Sequence, residues 1–317
     1  QNIAVGFNAM RLNTSGQFNT AIGYQGLYSN TTASNNTAVG YQAGYNNTTG
    51  IQNTLIGALA GDAITTGSYN TTLGYKALSS ETKGNRSVAI GREALLNQNF
   101  TSSTESYNTA VGYAAGLSVT TGINNTLIGG LAGDAITTGA SNTALGTQAL
   151  TSNTTASNTT AVGYQALYSN TTGYGTAVGA YALDASTTGT HNTAIGSAAL
   201  SGNTTGSYNS ALGHNSLYSN TTASYNTAVG YQAAFNNTGS TGTFVGFQAA
   251  YNNTGNDNIA YGADALFTNT TGGNNTALGR SALRSNTTAS NNTAVGYQAG
   301  YSNTTGRLDA FGAGALY

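Results

Sequence analysis

A glycine that returns at a nearly fixed interval constrains this chain more than any other feature. It falls at Gly6, Gly23, Gly40, Gly57, Gly74, Gly91, Gly112, Gly129, Gly146, Gly163, Gly179, Gly196, Gly213, Gly230, Gly246, Gly262, Gly279, Gly296 and Gly312, marking 19 units. Of the 18 intervals, 13 span 17 residues, four span 16, and one, from Gly91 to Gly112, spans 21. Around it the chain spells N-T-A-[VIL]-G-Y-Q-A-L-Y-S-N-T-T-G-x-x. A fixed period of this length is the signature of stacked repeats, each packing only on its neighbours.

With the glycine numbered position 5, position 4 is large and apolar in every unit, as in Val5, Ile22, Val39, Ile56 and Leu73. Position 3 is mostly Ala, and position 8 is Ala except at Gly26 and Ser216. Positions 11 to 15 read S-N-T-T-G or S-N-T-T-A, a turn signal. Segments of six or seven residues are too short for stable helices, and Thr, Val, Ile and Tyr favour pleated surface. Each unit is therefore expected to give two short strands, positions 1–4 and 6–10, hinged at the glycine. The expected fold is all-β: a β-solenoid, or parallel β-roll, of about 19 coils forming one array over 1–317. Coils spaced by about 4.8 Å would make a rod of roughly 85 Å. Asn and Thr ladders would pair along the stack. The glycine is expected at a corner that needs φ > 0 or close backbone approach. Pro, which would remove a ladder donor, is absent.

Alternate residues of a strand face opposite ways, yet positions 3 and 4 are both apolar, as are 8 and 9. One set can fill the thin interior of the coil; the other would form a long exposed stripe unless a second surface covers it. A homotrimer sharing one axis is the expected remedy, with lateral or axial self-assembly of the chain as the alternative.

The units NTAVG-YQA, NTAIG-SAAL and SVAIG-REAL, the last containing Ser87-Val88-Ala89-Ile90-Gly91, resemble the head repeats of YadA-like trimeric autotransporter adhesins. The resemblance implies a left-handed parallel β-roll with three chains side by side. The unit here is longer by its S-N-T-T-G turn, and in that form it also resembles repeats of bacteriophage tail fibres and other virion fibres.

Composition narrows the functional classes. Only 17 residues are charged, 8 basic and 9 acidic, with a formal net charge of −1. Nucleic acid is not an expected partner, since phosphate binding needs clustered Lys and Arg. No apolar run approaches the ~18 residues of a membrane span, and no membrane insertion is expected of these residues. The absence of Cys removes disulfides and thiolate chemistry. The low charge and 21 Tyr argue for order. The array starts and stops in mid-repeat, so a longer fibre is expected around it.

Candidate chemistry is sparse. His191 and His214 occupy different unit positions, 17 and 6, so no histidine-based triad or metal site is expected. Asp62 and Asp134 lie in matching AGDAITTG segments, read as a duplication of coils. Glycine spacings lack the Lys-Ser/Thr of a phosphate loop. The chain is read as no enzyme, with no cofactor and no metal. Seven of the 17 charges fall between Lys76 and Glu105, around the irregular 21-residue unit within 87–107, whose extra residues lie within Asn97–Tyr107. Two readings stand: a binding protrusion on a rigid scaffold, or a structural cross-coil pair between Lys76 and Glu93. Asn-x-Thr acceptors such as Asn30, Asn47, Asn153, Asn170, Asn203, Asn220, Asn286 and Asn303 crowd consecutive coils, so they are read as ladder residues of a turn rather than glycan sites.

Tyr recurs at position 6 and at position 10. The position-10 row, Tyr28, Tyr45, Tyr168, Tyr218, Tyr251 and Tyr301, supplies the candidate surface-recognition residues, able to meet sugar rings or to pack. The expected function is a non-enzymatic extracellular, cell-surface or virion fibre, a stiff spacer that attaches to surface polysaccharide. A bacterial adhesin head and an ice-binding solenoid with Thr ladders are the alternatives.

Overall fold

A computed structural model describes residues 1–317. The chain is all-β with no helix, and it winds as a parallel β-solenoid in two compact units, Gln1–Thr159 and Thr160–Tyr317. The first unit contributes nine coil strands: Ile3–Val5, Thr20–Ile22, Thr37–Val39, Thr54–Ile56, Thr71–Leu73, Val88–Ile90, Thr109–Val111, Thr126–Ile128 and Thr143–Leu145. The second contributes Thr160–Val162, Gly175–Val178, Asn192–Ile195, Ser210–Leu212, Thr227–Val229, Thr243–Val245, Ile259–Tyr261, Thr276–Leu278, Thr293–Val295 and Asp309–Phe311. Within each unit successive strands pair in parallel with like on like: Thr20↔Thr37, Ala21↔Ala38 and Ile22↔Val39 in the first, Thr193↔Ser210 and Ala194↔Ala211 in the second.

Each coil holds one strand where the residue pattern predicts two. Positions 6 to 10 form turns, because positions 7 and 9 adopt the left-handed region, as at Gln25 (φ 55°) and Leu27 (φ 47°). Inter-coil bonding continues through this segment without a pleat: the Gln25 amide donates back to the Phe7 carbonyl (2.9 Å) and the Leu27 amide forward to that of Ala43 (3.0 Å). The alternating sign of φ also turns positions 8 and 9 the same way, so Ala77 and Leu78 are both fully buried. Only position 4 of the apolar pairs therefore faces outward. A clue was present: in a chain with abundant Thr, Val and Ile, none of these occupies position 7 or 9, as expected where β-branched residues resist φ > 0.

The constant glycine meets both of its expected demands. Gly163 has φ +133°, and a Cβ there would lie 2.6 Å from the carbonyl carbon and oxygen of Gly179. The interior is filled by small and aliphatic side chains and two Asn ladders. In the position-1 ladder the Asn36 amide N–H donates to Asn19 Oδ1 (2.9 Å), and Asn36 Nδ2 to the Gly50 carbonyl (2.9 Å). In the position-12 ladder Asn30 Nδ2 donates to Asn13 Oδ1 (2.7 Å) and to the Ala33 carbonyl (3.1 Å). The interior conserves volume from coil to coil. Leu55 replaces the usual Ala at position 3 where Gly44 and Gly61 replace the usual Leu at position 9, and a Cβ on Gly44 would meet Leu55 at 2.6 Å.

Length changes are confined to the turn between positions 12 and 1. Where the 16-residue unit at Gly230–Gly246 drops a residue, Asn226 Nδ2 still reaches the turn carbonyl, at Gly239 (2.9 Å). The 21-residue unit inserts there too, and its insert builds a second parallel pair, Gly84–Asn85 with Thr104–Glu105. The columns on either side are undisturbed: Val88 still pairs with Thr109 and Ile90 with Val111.

Candidate functional site

The strand of each coil points position 3 inward and positions 2 and 4 outward. Ala21 is fully buried, while Ile22 is 40% and Leu73 47% exposed. Position 6 stands beyond the glycine corner and position 17 before the strand, and both carry exposed aromatics. Each unit thus presents a face of Thr, Val, Ile and Leu bordered by two columns that carry stretches of aromatics.

At position 6 of the first unit, Phe7, Tyr24 and Tyr41 stack with ring centroids 5.4 Å apart. In the second unit His214, Tyr231 and Phe247 stack at 5.5 Å. The position-17 column escaped the sequence reading, although its aromatics also recur every 17 residues. Its clearest stretch is Tyr174, His191, Tyr208 and Tyr225, with His191 Nε2 within 2.7 Å of the Tyr174 hydroxyl and its ring stacked on Tyr208 at 4.5 Å. The two histidines thus sit in separate aromatic columns, and no group of three His, Asp or Glu side chains converges anywhere.

The candidate recognition residues of position 10 lie in a different column and are more enclosed. Tyr28 stacks on Tyr45 at 5.1 Å. Tyr218, Phe235, Tyr251 and Phe267 form a continuous stack at 5.0 to 5.2 Å, continued by the Arg284 guanidinium over Phe267 (4.9 Å) and by Tyr301 on Tyr317 (5.1 Å). Tyr168, also half-buried, is followed one coil on by Asp184, which accepts from Ser201 Oγ (2.6 Å). Inside these stacks ring faces cover one another, so edges and hydroxyls are what the column offers a ligand.

The charged stretch around the irregular coil is built differently from its sequence reading. Lys76 and Glu93 do not pair: Lys76 lies over the Tyr75 ring (5.5 Å), and Glu93 takes the adjacent Arg92 (3.2 Å). Both belong to position 7, a column whose side chains can ladder, as Gln42 Nε2 does onto Gln25 Oε1 (2.8 Å), but here each turns instead to a neighbour in its own coil. Arg92 sits between Tyr75 (5.9 Å) and Tyr113 (5.8 Å) in the position-6 column. Arg86 sits between Tyr69 (4.8 Å) and Tyr107 (5.9 Å) in the position-17 column and forms an ion pair with Glu105. Beneath them Glu81 is fully buried in the position-12 column. Its Oε1 accepts the amides of Thr82, Lys83, Gly84 and Phe100 (2.6 to 3.2 Å), and its Oε2 accepts Gln98 Nε2 (2.9 Å). A buried carboxylate with this many donors is a fixed structural anchor.

Burial pushes the carboxyls of Asp62 and Asp134 above the usual range; for Asp62 the hydrogen bond from Ser79 Oγ (2.5 Å) and the Lys76 charge pull partly back. Asp134 has no such side-chain donor, and its Oδ1 is buried without a partner. The Asn-x-Thr residues of position 12 are committed to the interior: Asn30, Asn47, Asn153, Asn203, Asn220 and Asn286 are fully buried with their Nδ2 groups donating. No protein-family model matches this chain, and no curated protein matches it.

Proposed function

We propose that this chain is a non-enzymatic segment of an extracellular or virion fibre, assembled from three left-handed rolls that cover one another's strand faces. The observation that carries the reading is the exposed strand face itself. An aromatic side chain presents on the order of 150–250 Å². Phe7, Tyr24, Tyr41, Tyr75 and Tyr113, each close to half exposed or more, therefore offer roughly 400–600 Å² before any aliphatic is counted. Summed along a column that Ala58 and Arg92 interrupt, that is comparable to the largest contiguous apolar patch of an ordinary monomer, about 300–600 Å². The position-4 column brings it toward the ~800 Å² per partner of a stable interface. The number three and the handedness follow the resemblance to trimeric head repeats.

Covering the strand face leaves the position-10 column outside, where ring edges and hydroxyls meet cell-surface polysaccharide. Low charge and laddered interiors suit a stiff spacer that carries such contacts at intervals. The test is binding of the fibre to whole cells and isolated capsular or lipopolysaccharide fractions, before and after Tyr28→Ser and Tyr45→Ser. Binding lost with an unchanged melting temperature supports attachment through the column; binding lost only together with the fold, or no binding at all, leaves the spacer role alone.

A further inference from the structure

The repeat that makes the strand face sticky also makes it ambiguous. A second copy sliding along that face by one coil, about 4.8 Å, still sets Val, Ile or Leu against Val, Ile or Leu along the position-4 column of the first unit. Identical periodic arrays need an aperiodic feature to hold them level. We infer that the irregular coil of the first unit is a docking site for the same coil of a second copy, and that it fixes the chains in register. The inference rests on the assembly proposed above.

Three observations support it. The position-6 and position-17 columns border the stripe of Leu73, Ile90 and Val111 on its two sides, and each carries one arginine there, Arg92 and Arg86. When copies pack head-to-tail around a rotation axis, the position-6 border of one meets the position-17 border of the next. In register, the Arg92–Glu93 pair then faces the Arg86–Glu105 pair, one cation and one anion from each side. Slipped by one coil one way, Arg86 and Glu105 face Tyr113 and Ala114 and lose water without gaining a partner; slipped the other way they face Tyr75 and Lys76, where Glu105 alone meets a cation. This is how isolated polar groups set register in apolar repeats.

Within the first unit the pairing is also confined to one place. The other charges of the first unit outside this stretch, Arg11, Asp62 and Asp134, all occupy the position-10 column away from the strand. Finally, the insert is rigid rather than loose. Glu105 lies on the paired segment Thr104–Glu105, and buried Glu81 ties the Phe100 amide to the turn at Thr82–Gly84.

The chain contains no Cys, so introduced thiols report unambiguously. Chains carrying Val39→Cys and chains carrying Ile56→Cys, at position 4 of adjacent coils, are mixed in denaturant, refolded together and oxidised. Disulfides need Cα separations of about 4.4–6.8 Å, which an added coil step exceeds. The inference expects same-site disulfides to exceed mixed ones by about ten-fold or more, by mass spectrometry of the linked peptides. It expects near-statistical mixing in the Arg86→Gln/Arg92→Gln background, and again in Glu93→Gln/Glu105→Gln, with unchanged circular dichroism. Mixed disulfides in the unaltered background, or a ratio indifferent to both charge variants, overturns the register role while leaving the assembly standing. A monomeric mass by light scattering on the same samples overturns both.

Discussion

Asn220 donates its side-chain Nδ2 to Oδ1 of Asn203, one coil away, at 3.1 Å, and to the Ala223 carbonyl of its own turn at 3.0 Å. One amide thus closes a turn and joins two coils. Asn220→Ala strands both acceptors in a dry interior, at a cost of about 1–3 kcal/mol. Chemical denaturation should show that loss. Mass spectrometry of protein made in a glycosylating host should find no glycan on Asn203 or Asn220, whose amide nitrogens are buried and engaged.

Gly163→Val should be among the most damaging single changes. It imposes a β-branched residue at φ +133° and drives its Cβ into the Gly179 peptide. Lys76→Ala should shift the melting temperature little. Lys76 has a ring contact but no ion pair, and exposed charges contribute about 0–1 kcal/mol.

The exchange of volume between Leu55 and Gly44 predicts coupling. Gly44→Ala should destabilise by crowding the Leu55 side chain, which would lie 2.6 Å away. Leu55→Ala alone should cost about 2–5 kcal/mol through its cavity. The double variant should cost less than the sum, because Ala is tolerated at the equivalent left-handed position at Ala234 (φ 53°). Strict additivity in a double-mutant cycle would show that the two sites do not share one space.

Asp62 and Asp134 predict an unusual pH slope. Burial holds both folded carboxyls above their ordinary range, so the folded state holds these protons more tightly than the unfolded chain. Their contribution is present below about pH 4 and is lost as pH rises through the raised folded values. Asp134→Asn should remove part of that slope and raise the melting temperature at pH 7. A variant no more stable at pH 7 than the parent would show that ionised Asp134 is well solvated.

Much of the fold can be read from the residues, and the limits have physical causes. The glycine period specifies the coil, the ladders and the parallel register, since stacking like on like pairs Asn and Thr at most steps, Asn170 being an exception. The second strand was misread because Tyr and Leu at positions 6, 9 and 10 look pleated by composition. The left-handed residues at positions 7 and 9, such as Gln25 and Leu27, keep the inter-coil bonds while abandoning the pleat. The same residues break the alternation that assigns faces. Hence the position-10 tyrosines were legible as a row but not as a closed stack, and the more open rows at positions 6 and 17 drew less notice. Lys76 and Glu93 share a column but not a contact, because Tyr75 and Arg92 beside them compete for the two charges.

The account depends most on copies of the chain covering the strand face. Sedimentation equilibrium of the unaltered protein and of a variant with Ile22→Asp and Leu73→Asp, two outward position-4 changes, tests this directly. The account predicts a mass three times that of the 31.8 kDa chain for the parent and a folded monomer for the variant. A parent that remains a 31.8 kDa monomer at micromolar concentration, its strand face open to water, would contradict it.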